Sequence, residues 1–248
     1  VTPDTRLVVQ NALLFAARWA KHFNAAATAE RQPFTRADGS TSHADLMSRT
    51  GRLTFVTGPD WRALRLRYVD GAGDSGSAGG SAAGSETLAM DVILPRKVSS
   101  PIDLPPTTWS EATQLLTAQA HQTAGNATVH LRLPRLNLSS KPTDLTGVVK
   151  SLGVRLGSQD HIAPDLLVDQ VVQQVRLIVA EEGTVAAALT EITVRFGAPP
   201  RLEKPVDFTV DHPYVLRIVD LTTGIALIEA AILDPAAGPQ LPPPAPAE

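Results

Sequence analysis

Hydrophobic and polar positions follow two different patterns within one continuous run, residues 175–196. The first part, residues 175–179, alternates with the period of two that is typical of a β-strand, and two glutamates and a glycine then interrupt it. Beyond them every second residue is uncharged and no larger than isoleucine: Thr184, Ala186, Ala188, Thr190, Ile192 and Val194. This set fits one interior face of a strand. The alanine content and the following Gly-Ala-Pro-Pro also fit an exposed loop, so the pattern predicts a segment that can be either.

Alternating patterns elsewhere predict further strands. They cover residues 64–68, 88–94 and 126–138, and in the last of these the inward positions are Val129, Leu131 and Leu133. Residues 6–23 are ambiguous, because their apolar positions fit both a helical face and a strand buried on both sides. The Asp-Gly pair at residues 38–39 predicts a tight turn.

Two segments are predicted as helices. Residues 105–120 carry a threonine cap at Thr107 or Thr108, and one side of this helix is apolar: Trp109, Ala112, Leu115 and Leu116. Residues 143–153 form a shorter capped helix that Gly153 ends. Between two predicted strands, residues 71–87 form a Gly/Ala/Ser-rich insert that is predicted to be a flexible loop.

Composition limits the chemistry that the chain can carry. Its 248 residues favour a single large domain, and 43% hydrophobic residues suffice for a core. The net charge of -3 gives no electrostatic case for nucleic-acid binding, and no apolar run reaches membrane-spanning length. The chain has no cysteine for disulfides or thiolate chemistry. Its six histidines are scattered without the spacing of metal ligands, so no metal or other cofactor is expected.

Two short motifs in the insert imitate functional sites. Gly71, Gly73 and Gly76 have the spacing of a dinucleotide-binding fingerprint, but that fingerprint needs a helix to follow, and here a strand follows. The sequence Gly-Asp-Ser-Gly at residues 73–76 imitates the nucleophile motif of trypsin-like proteases. A nucleophile needs a positioned histidine and a rigid oxyanion site, which a low-complexity loop does not supply. No catalytic residue is therefore predicted.

The run after the strand resembles the hinge of the reactive-centre loop of the serpins, a family that traps serine and sometimes cysteine proteases. The matching residues are Glu181, Glu182, Gly183, Thr184, Val185, Ala186, Ala187 and Ala188. The resemblance implies that a protease cleaves the exposed loop and forms an acyl-enzyme, and that the hinge then inserts as a central strand of a large sheet and distorts the protease. The family usually has glutamate at the position of Val185 and a smaller residue at that of Leu189. Both departures have the outward parity, so the inward set stays intact.

Further matches lie on both sides of the expected insertion gap. Asn11 and Trp19 resemble residues of the strand that lines one side, with Asn11 in a hydrogen-bonded shutter and Trp19 at the breach where insertion begins. This match favours a strand for the ambiguous N-terminal stretch. Arg135 matches a basic residue that pairs with the first hinge glutamate, which implies an Arg135–Glu181 ion pair beside the tryptophan. Gln173 stands where the family commonly has a shutter histidine, and its amide can still donate and accept hydrogen bonds.

The reactive-centre loop is assigned by this resemblance to residues 183–206, and its scissile bond stays open. Counting from the hinge glycine places the scissile residue at Gly197, whereas counting back from Pro213 places it near Leu202. The candidate region comprises Arg195, Phe196, Gly197, Ala198, Arg201 and Leu202. An arginine there suits a trypsin-like protease, and the phenylalanine suits a chymotrypsin-like one.

The resemblance spans residues 1–235, which correspond to the C-terminal part of a serpin, and a Pro/Ala-rich tail follows at residues 236–248. It implies an α+β fold of mixed sheets with a few helices and an exposed reactive-centre loop, without the family's N-terminal helices. The chain is then either a fragment or a truncated member. Since those helices cover the sheet in the family, the chain by itself is expected to expose apolar surface.

These observations predict an inhibitor of serine-type endopeptidases, not an enzyme. The alternatives are a non-inhibitory serpin, which is a binding or carrier protein or a simple protease substrate, and an inactive truncated fragment. The expected partner is a target serine or cysteine protease, with no role for nucleic acid, membrane or cofactor. The full-length protein is expected to be a monomer, and secreted and cytoplasmic locations are both compatible with the sequence.

Overall fold

A computed structural model describes residues 7–15, 17–69, 87–105, 107–120, 126–156, 168, 170–184, 205–239 and 241. The strands within them are β1 (Val8–Leu14), β2 (Ala17–Trp19), β3 (Ala29–Thr35), β4 (Thr41–Thr57), β5 (Trp61–Val69), β6 (Leu88–Pro95), β7 (Asn126–Pro134), β8 (Leu136–Ser139), β9 (Thr143–Asp144), β10 (Gln170–Ala180), β11 (Gly183–Thr184), β12 (Val206–Thr209), β13 (Tyr214–Asp220) and β14 (Ala226–Ile232). The helices are α1 (Thr108–Ala120) and α2 (Thr146–Ser151), and short 3-10 helices lie at Ala25–Ala27, Pro101–Asp103 and Pro235–Ala237.

The described strands form one continuous hydrogen-bonded network. Its main path runs β1-β10-β11-β2-β5-β4-β7-β12. From this path β3 branches at β4, β6 branches at β5 and leads through β13 to β14, and β8 and β9 both pair with β10. The described pairs are antiparallel except at two places, where β1 runs parallel to β10 and β12 runs parallel to β7. This mixed sheet with few helices agrees with the α+β class expected from the sequence.

Alternation along the strands builds the core. In β7, Val129, Leu131 and Leu133 are fully buried and face the core, as predicted, whereas His130 and Arg132 lie on the outer face. The core joins inward residues of most other strands, including Phe34, Met47, Leu64, Tyr68, Met90, Phe208 and Leu216. The N-terminal stretch that was ambiguous by pattern forms strands β1 and β2. The predicted turn at Gly39 is also present, with a φ of 83° that favours glycine.

Helix α1 is held on the sheet by apolar and charged contacts. Its buried Ala112 and Leu116 pack into a second cluster with residues of β5, β6 and β13: Trp61, Ala63, Ile93 and Val215. Beside this cluster Arg65 donates to both carboxylate oxygens of Asp91 at 2.7 and 2.9 Å, and to the Thr113 carbonyl of the helix at 3.3 Å. Both members of this ion pair are buried, so the pair fixes the helix against β5 and β6.

A second arginine makes a similar arrangement nearer the start of the helix. Arg217 on β13 donates to a carboxylate oxygen of Glu229 on β14 at 2.6 Å, and to the Trp109 carbonyl at 2.6 Å. It also donates to the hydroxyl of Thr113 at 2.6 Å. Buried arginines are tolerated when their donors are satisfied in this way.

The structure corrects three details of the predicted elements. Leu115 was predicted on the apolar side of α1 but is 47% exposed, because the helix meets the sheet along Ala112 and Leu116. Helix α2 begins at Thr146 and not at residue 143, because residues 143–144 pair with β10 as β9. The start of the predicted extended tail belongs to the 3-10 helix Pro235–Ala237.

Several predicted features lie outside the described residues. They are the insert 71–87 apart from its last residue, the hinge residues 185–188, the candidate scissile residues 195–198 and 201–202, and most of the tail. Neither of the two described α-helices is long and apolar enough to cross a membrane.

Candidate functional site

The last described residues of the predicted hinge, Gly183 and Thr184, lie inside the sheet. β11 runs antiparallel to β10 on one side and to β2 on the other. Thr184 stands opposite Val179 on β10 and opposite Ala17 on β2, and its side chain is completely buried. Gly183 and Thr184 therefore already occupy strand positions between two neighbours.

Only glycine fits the first of these positions. Gly183 has a φ of 155°, and a Cβ built on it would lie 2.2 Å from the carbonyl oxygen of Ala17 and 2.8 Å from the Cα of Arg18. Both contacts are with backbone atoms, so a side chain would push β2 away from β11.

Two aromatic side chains, Tyr68 and Trp19, pack around the second position, which is Thr184. The hydroxyls of Tyr68 on β5 and Thr184 are 2.8 Å apart and share a hydrogen bond. The indole ring of Trp19 stacks on the ring of Tyr68 at 4.5 Å between centroids, and its Nε1 donates to the Ala180 carbonyl at 2.9 Å. Burial raises the pKa of Tyr68 well above its usual value, so the hydroxyl stays neutral and able to donate.

A buried ion pair lies at the turn between β10 and β11. Glu181 accepts from the Thr28 hydroxyl at 2.8 Å, and its second oxygen lies 3.2 Å from the guanidinium Nε of Arg135. Asp45 is a second, more distant partner of this arginine at 3.8 Å. The predicted Arg135–Glu181 pair is confirmed, and it lies beside Trp19, whose backbone N–H donates to the carbonyl of Glu182 at 3.0 Å.

Where β11 ends, no described strand separates the two flanking strands, and β1 pairs directly with β10. The two strands run parallel over seven residue pairs, from Val8 opposite Gln170 to Leu14 opposite Arg176. Asn11 stands opposite Gln173, so the two predicted shutter residues are register partners. Their role as a shutter stays a prediction.

Arg49 on β4 is a partly buried arginine without a described carboxylate partner. The guanidinium of Arg49 on β4 lies over the ring of Phe23, 5.2 Å from the centroid, and donates to the backbone carbonyl of Lys21. Burial lowers the pKa of Arg49 to about 10. The cation–π contact and the carbonyl offset part of its desolvation.

The described chain resumes at Pro205, and strand β12 then leads to a buried histidine. His212 donates from Nε2 to the Pro95 carbonyl at 2.8 Å, and its Nδ1 lies 2.7 Å from the carboxylate of Asp211. The hydrogen bond with His212 lowers the pKa of Asp211. This contact ties the connection between β12 and β13 to the end of β6.

Sequence reasoning did not identify two side-chain contacts of the hinge, those with Tyr68 and Thr28. The alternating pattern predicted Tyr68 only as a strand residue, and no contact was predicted for Thr28. Among the described residues, no group of histidine, aspartate or glutamate side chains is arranged to hold a metal ion. The site consists of a two-residue strand, β11, between β10 and β2, and in the sequence a long segment rich in small residues follows it.

Comparison with known proteins gives a consistent family. The family model described as "Serpin (serine protease inhibitor)" matches residues 1–235. An uncharacterized serpin-like protein of Thermococcus kodakarensis is 27% identical over 251 residues, which cover 96% of this chain and 52% of that protein. Plasminogen activator inhibitor 1 of Neovison vison is 28% identical over 245 residues, covering 93% of this chain and 55% of that protein.

Solved structures agree on the fold. The crystal structure of human thyroxine-binding globulin with its ligand superposes with a TM-score of 0.70 at 18% identity, covering 95% of this chain and 58% of the globulin. The chain thus spans little more than half the length of the relatives that it matches.

Proposed function

Because the chain belongs to the serpin family, we propose that the protein containing it inhibits serine-type endopeptidases as a suicide substrate. A target protease cleaves the loop predicted at residues 183–206, whose first two residues already lie in β11 and whose last residue begins β12, and the segment after Thr184 inserts as a strand between β1 and β10. The observation that carries this proposal is the register of the strands around β11.

The register allows insertion without any slip of the flanking strands. Because β11 is antiparallel to both neighbours, each further hinge residue would pair with a residue one position earlier in the sequence on each side. On one side these partners belong to β10, and on the other side they belong to β2 and then to β1. Extended in this way, Ala187 meets Arg176 and Leu14, and these two residues already stand opposite each other. The extension ends with Thr193 between Gln170 and Val8, which are again an existing pair. A ten-residue strand, 184–193, therefore fits the gap by simple separation of β1 from β10.

The exchange of ladders favours insertion. One parallel ladder between β1 and β10 is replaced by two antiparallel ladders, which are slightly more stable per residue. The residues with the parity of the buried Thr184 are Ala186, Ala188, Thr190 and Ile192, and none of them carries a charge. Their burial adds a hydrophobic contribution of roughly 25 cal/mol per Å² of apolar surface.

The same register limits the position of cleavage. Thr193 is the last residue for which the described pairs of β1 and β10 provide a partner on both sides, so a scissile bond that follows it lets all of residues 184–193 insert. All six candidate residues, from Arg195 to Leu202, meet this condition. Arginine at position 195 or 201 would direct the loop to trypsin-like proteases.

The proposal is tested by mixing the full-length protein with trypsin-like, chymotrypsin-like and elastase-like proteases. A complex that survives denaturing electrophoresis is expected with at least one of them, since the acyl-enzyme is covalent. Mass analysis of the released C-terminal fragment then identifies the scissile bond. Cleavage of the loop without any stable complex would contradict inhibition.

A charge at the first inward position that has still to enter the sheet should convert the inhibitor into a substrate. We expect Ala186→Arg to abolish the complex while the loop is still cleaved, because its side chain has the parity of the completely buried Thr184 and an arginine would have to enter the same interior face. The matched control is Val185→Arg, whose side chain has the outward parity and should leave most of the complex intact. Equal inhibition by both variants would count against insertion.

A second candidate is a non-inhibitory binding protein whose loop is cut as an ordinary substrate. Val185, Leu189 and Gln173 depart from the usual family residues in its favour. One protein of the same fold, thyroxine-binding globulin, is named for a small-molecule ligand. Loop cleavage without a covalent complex in the protease mixture is the outcome that selects this candidate.

A further inference from the structure

One edge of strand β12, called its free edge below, has no strand partner in the described part of the chain. Among the described strands it pairs only with β7, through four residue pairs. The N–H of Val210, just after β12, donates to the Arg132 carbonyl of β7 at 3.0 Å. Backbone groups of successive strand residues point to opposite edges, so the carbonyls of Asp207 and Thr209 point away from β7. Unpaired backbone groups of this kind leave an edge strand weakly held.

Arg62 on β5 occupies this free edge. Its Nη1 donates to the carbonyl of Asp207 at 2.8 Å, and its Nη2 donates to the carbonyl of Thr209 at 3.3 Å. The carbon of the same guanidinium lies 4.8 Å from the ring centroid of the buried Phe208. One side chain thus contacts three successive residues of β12. The planar fork of arginine suits two acceptors on one edge, which a lysine ammonium cannot bridge in the same way.

We propose that Arg62 is a positioning residue that takes the place of a neighbouring strand on the free edge of β12 and keeps this strand in the sheet. The inference extends the proposed function, because β12 is the first described strand after the reactive-centre loop. Its test does not depend on inhibition, so the two proposals can fail separately.

Hydrogen exchange of the full-length protein tests the proposal locally. In Arg62→Ala the amides of Phe208 and Val210 should exchange about tenfold faster or more, because two hydrogen bonds from a charged donor are lost. The reference in the same sample is the exchange of Val215 and Leu216 on β13, which should not change. A ratio between β12 and β13 that equals the wild-type ratio would overturn the proposal.

Two further variants separate this role from a general loss of charge or stability. Arg96→Ala removes a neighbouring arginine that donates to the Gly58 carbonyl at 3.2 Å and not to β12, so it should leave the exchange of β12 unchanged. Arg62→Lys keeps the charge without the fork and should give an intermediate rate. If Arg62→Ala does not fold, the lysine variant decides, and wild-type exchange of β12 in that variant overturns the proposal.

Discussion

Two buried tyrosine hydroxyls make a matched pair at the scale of single residues. The hydroxyl of Tyr68 shares a hydrogen bond with Thr184, whereas that of Tyr214 has no hydrogen-bond partner among the described residues. Burial raises the pKa of both phenols, so both are neutral. Removing a bonded hydroxyl leaves its partner unsatisfied, and removing an unbonded one relieves a desolvation cost.

Phenylalanine substitutions should therefore have opposite effects. Tyr68→Phe is expected to lower the free energy of unfolding by about 1–2 kcal/mol and to speed hydrogen exchange of the Thr184 amide. Tyr214→Phe is expected to be neutral or stabilising. Denaturant unfolding monitored by tryptophan fluorescence measures both, and equal destabilisation by the two substitutions would show that the Thr184 contact contributes nothing.

The Asp211–His212 contact predicts a pH dependence. The pKa of Asp211 is lowered in the folded state by the hydrogen bond with His212. Its contribution to stability is therefore fully present above the ordinary aspartate value of 3.8 and is lost as the pH falls through the lower folded-state pKa. The difference in unfolding free energy between the wild type and Asp211→Asn should be largest near neutral pH and should vanish in acid. A difference that grows on acidification would contradict this sign.

At this scale the sequence predicted an ion pair correctly but did not predict which buried side chains contact each other. The Arg135–Glu181 pair followed from a family resemblance, because a charged pair carries a recognisable residue type at each position. Tyr68 could be predicted as an inward residue from alternation alone, but a period of two does not say which residue of another strand it meets. The prediction that Leu115 faces the core was wrong for a similar reason, since the apolar face of a helix is wide and the sheet contacts only part of it.

At the scale of elements, the close approach of β11 to β2 decides whether the hinge can start inside the sheet. Gly183→Ala places a Cβ against the backbone of Ala17, so we expect β11 to leave the sheet. Faster proteolysis or hydrogen exchange at residues 181–184 measures this loss. The matched control is Gly51→Ala on β4, where an added Cβ meets nothing within 4 Å. Unchanged exchange in the Gly183 variant would refute the close contact.

Element boundaries show where local patterns end and tertiary pairing takes over. The N-terminal stretch fits helix and strand equally well, and its pairing with β10 and β11 selects the strand. Helix α2 starts later than predicted because Thr143 and Asp144 are used by β10. The periodicity of the segment itself predicts neither outcome, because both depend on pairing with a strand that lies far away in the sequence.

At the scale of the whole molecule, an apolar groove of about 700 Å³ lies between β14 and the strands β8 and β10. Its lining includes Leu138, Val175, Leu177, Leu227, Ile228 and Ile232. The chain spans little more than half the length of its relatives, and this groove is the kind of surface that the sequence led us to expect on the isolated chain.

Cleavage of the loop should raise the stability of the full-length protein. If ten residues gain ladders on both sides, the melting temperature should increase by roughly 20 °C, since each kcal/mol shifts a domain of this size by a few degrees. Differential scanning calorimetry of intact and loop-cleaved protein measures the change. A cleaved sample that melts with the intact one, and whose loop remains open to protease, would exclude the insertion mechanism.

The position of Gly183 and Thr184 between β10 and β2 also sets an order of events. If the loop inserts as proposed, it lengthens a strand that already exists, and each joining residue separates only the next pair of β1 and β10. A new strand does not have to be nucleated, and the residues after Thr184 enter the sheet one after another in sequence order. A misfit near Ala186 would then halt the process almost at once, whereas the same misfit at Ile192 would leave most of the new strand in place.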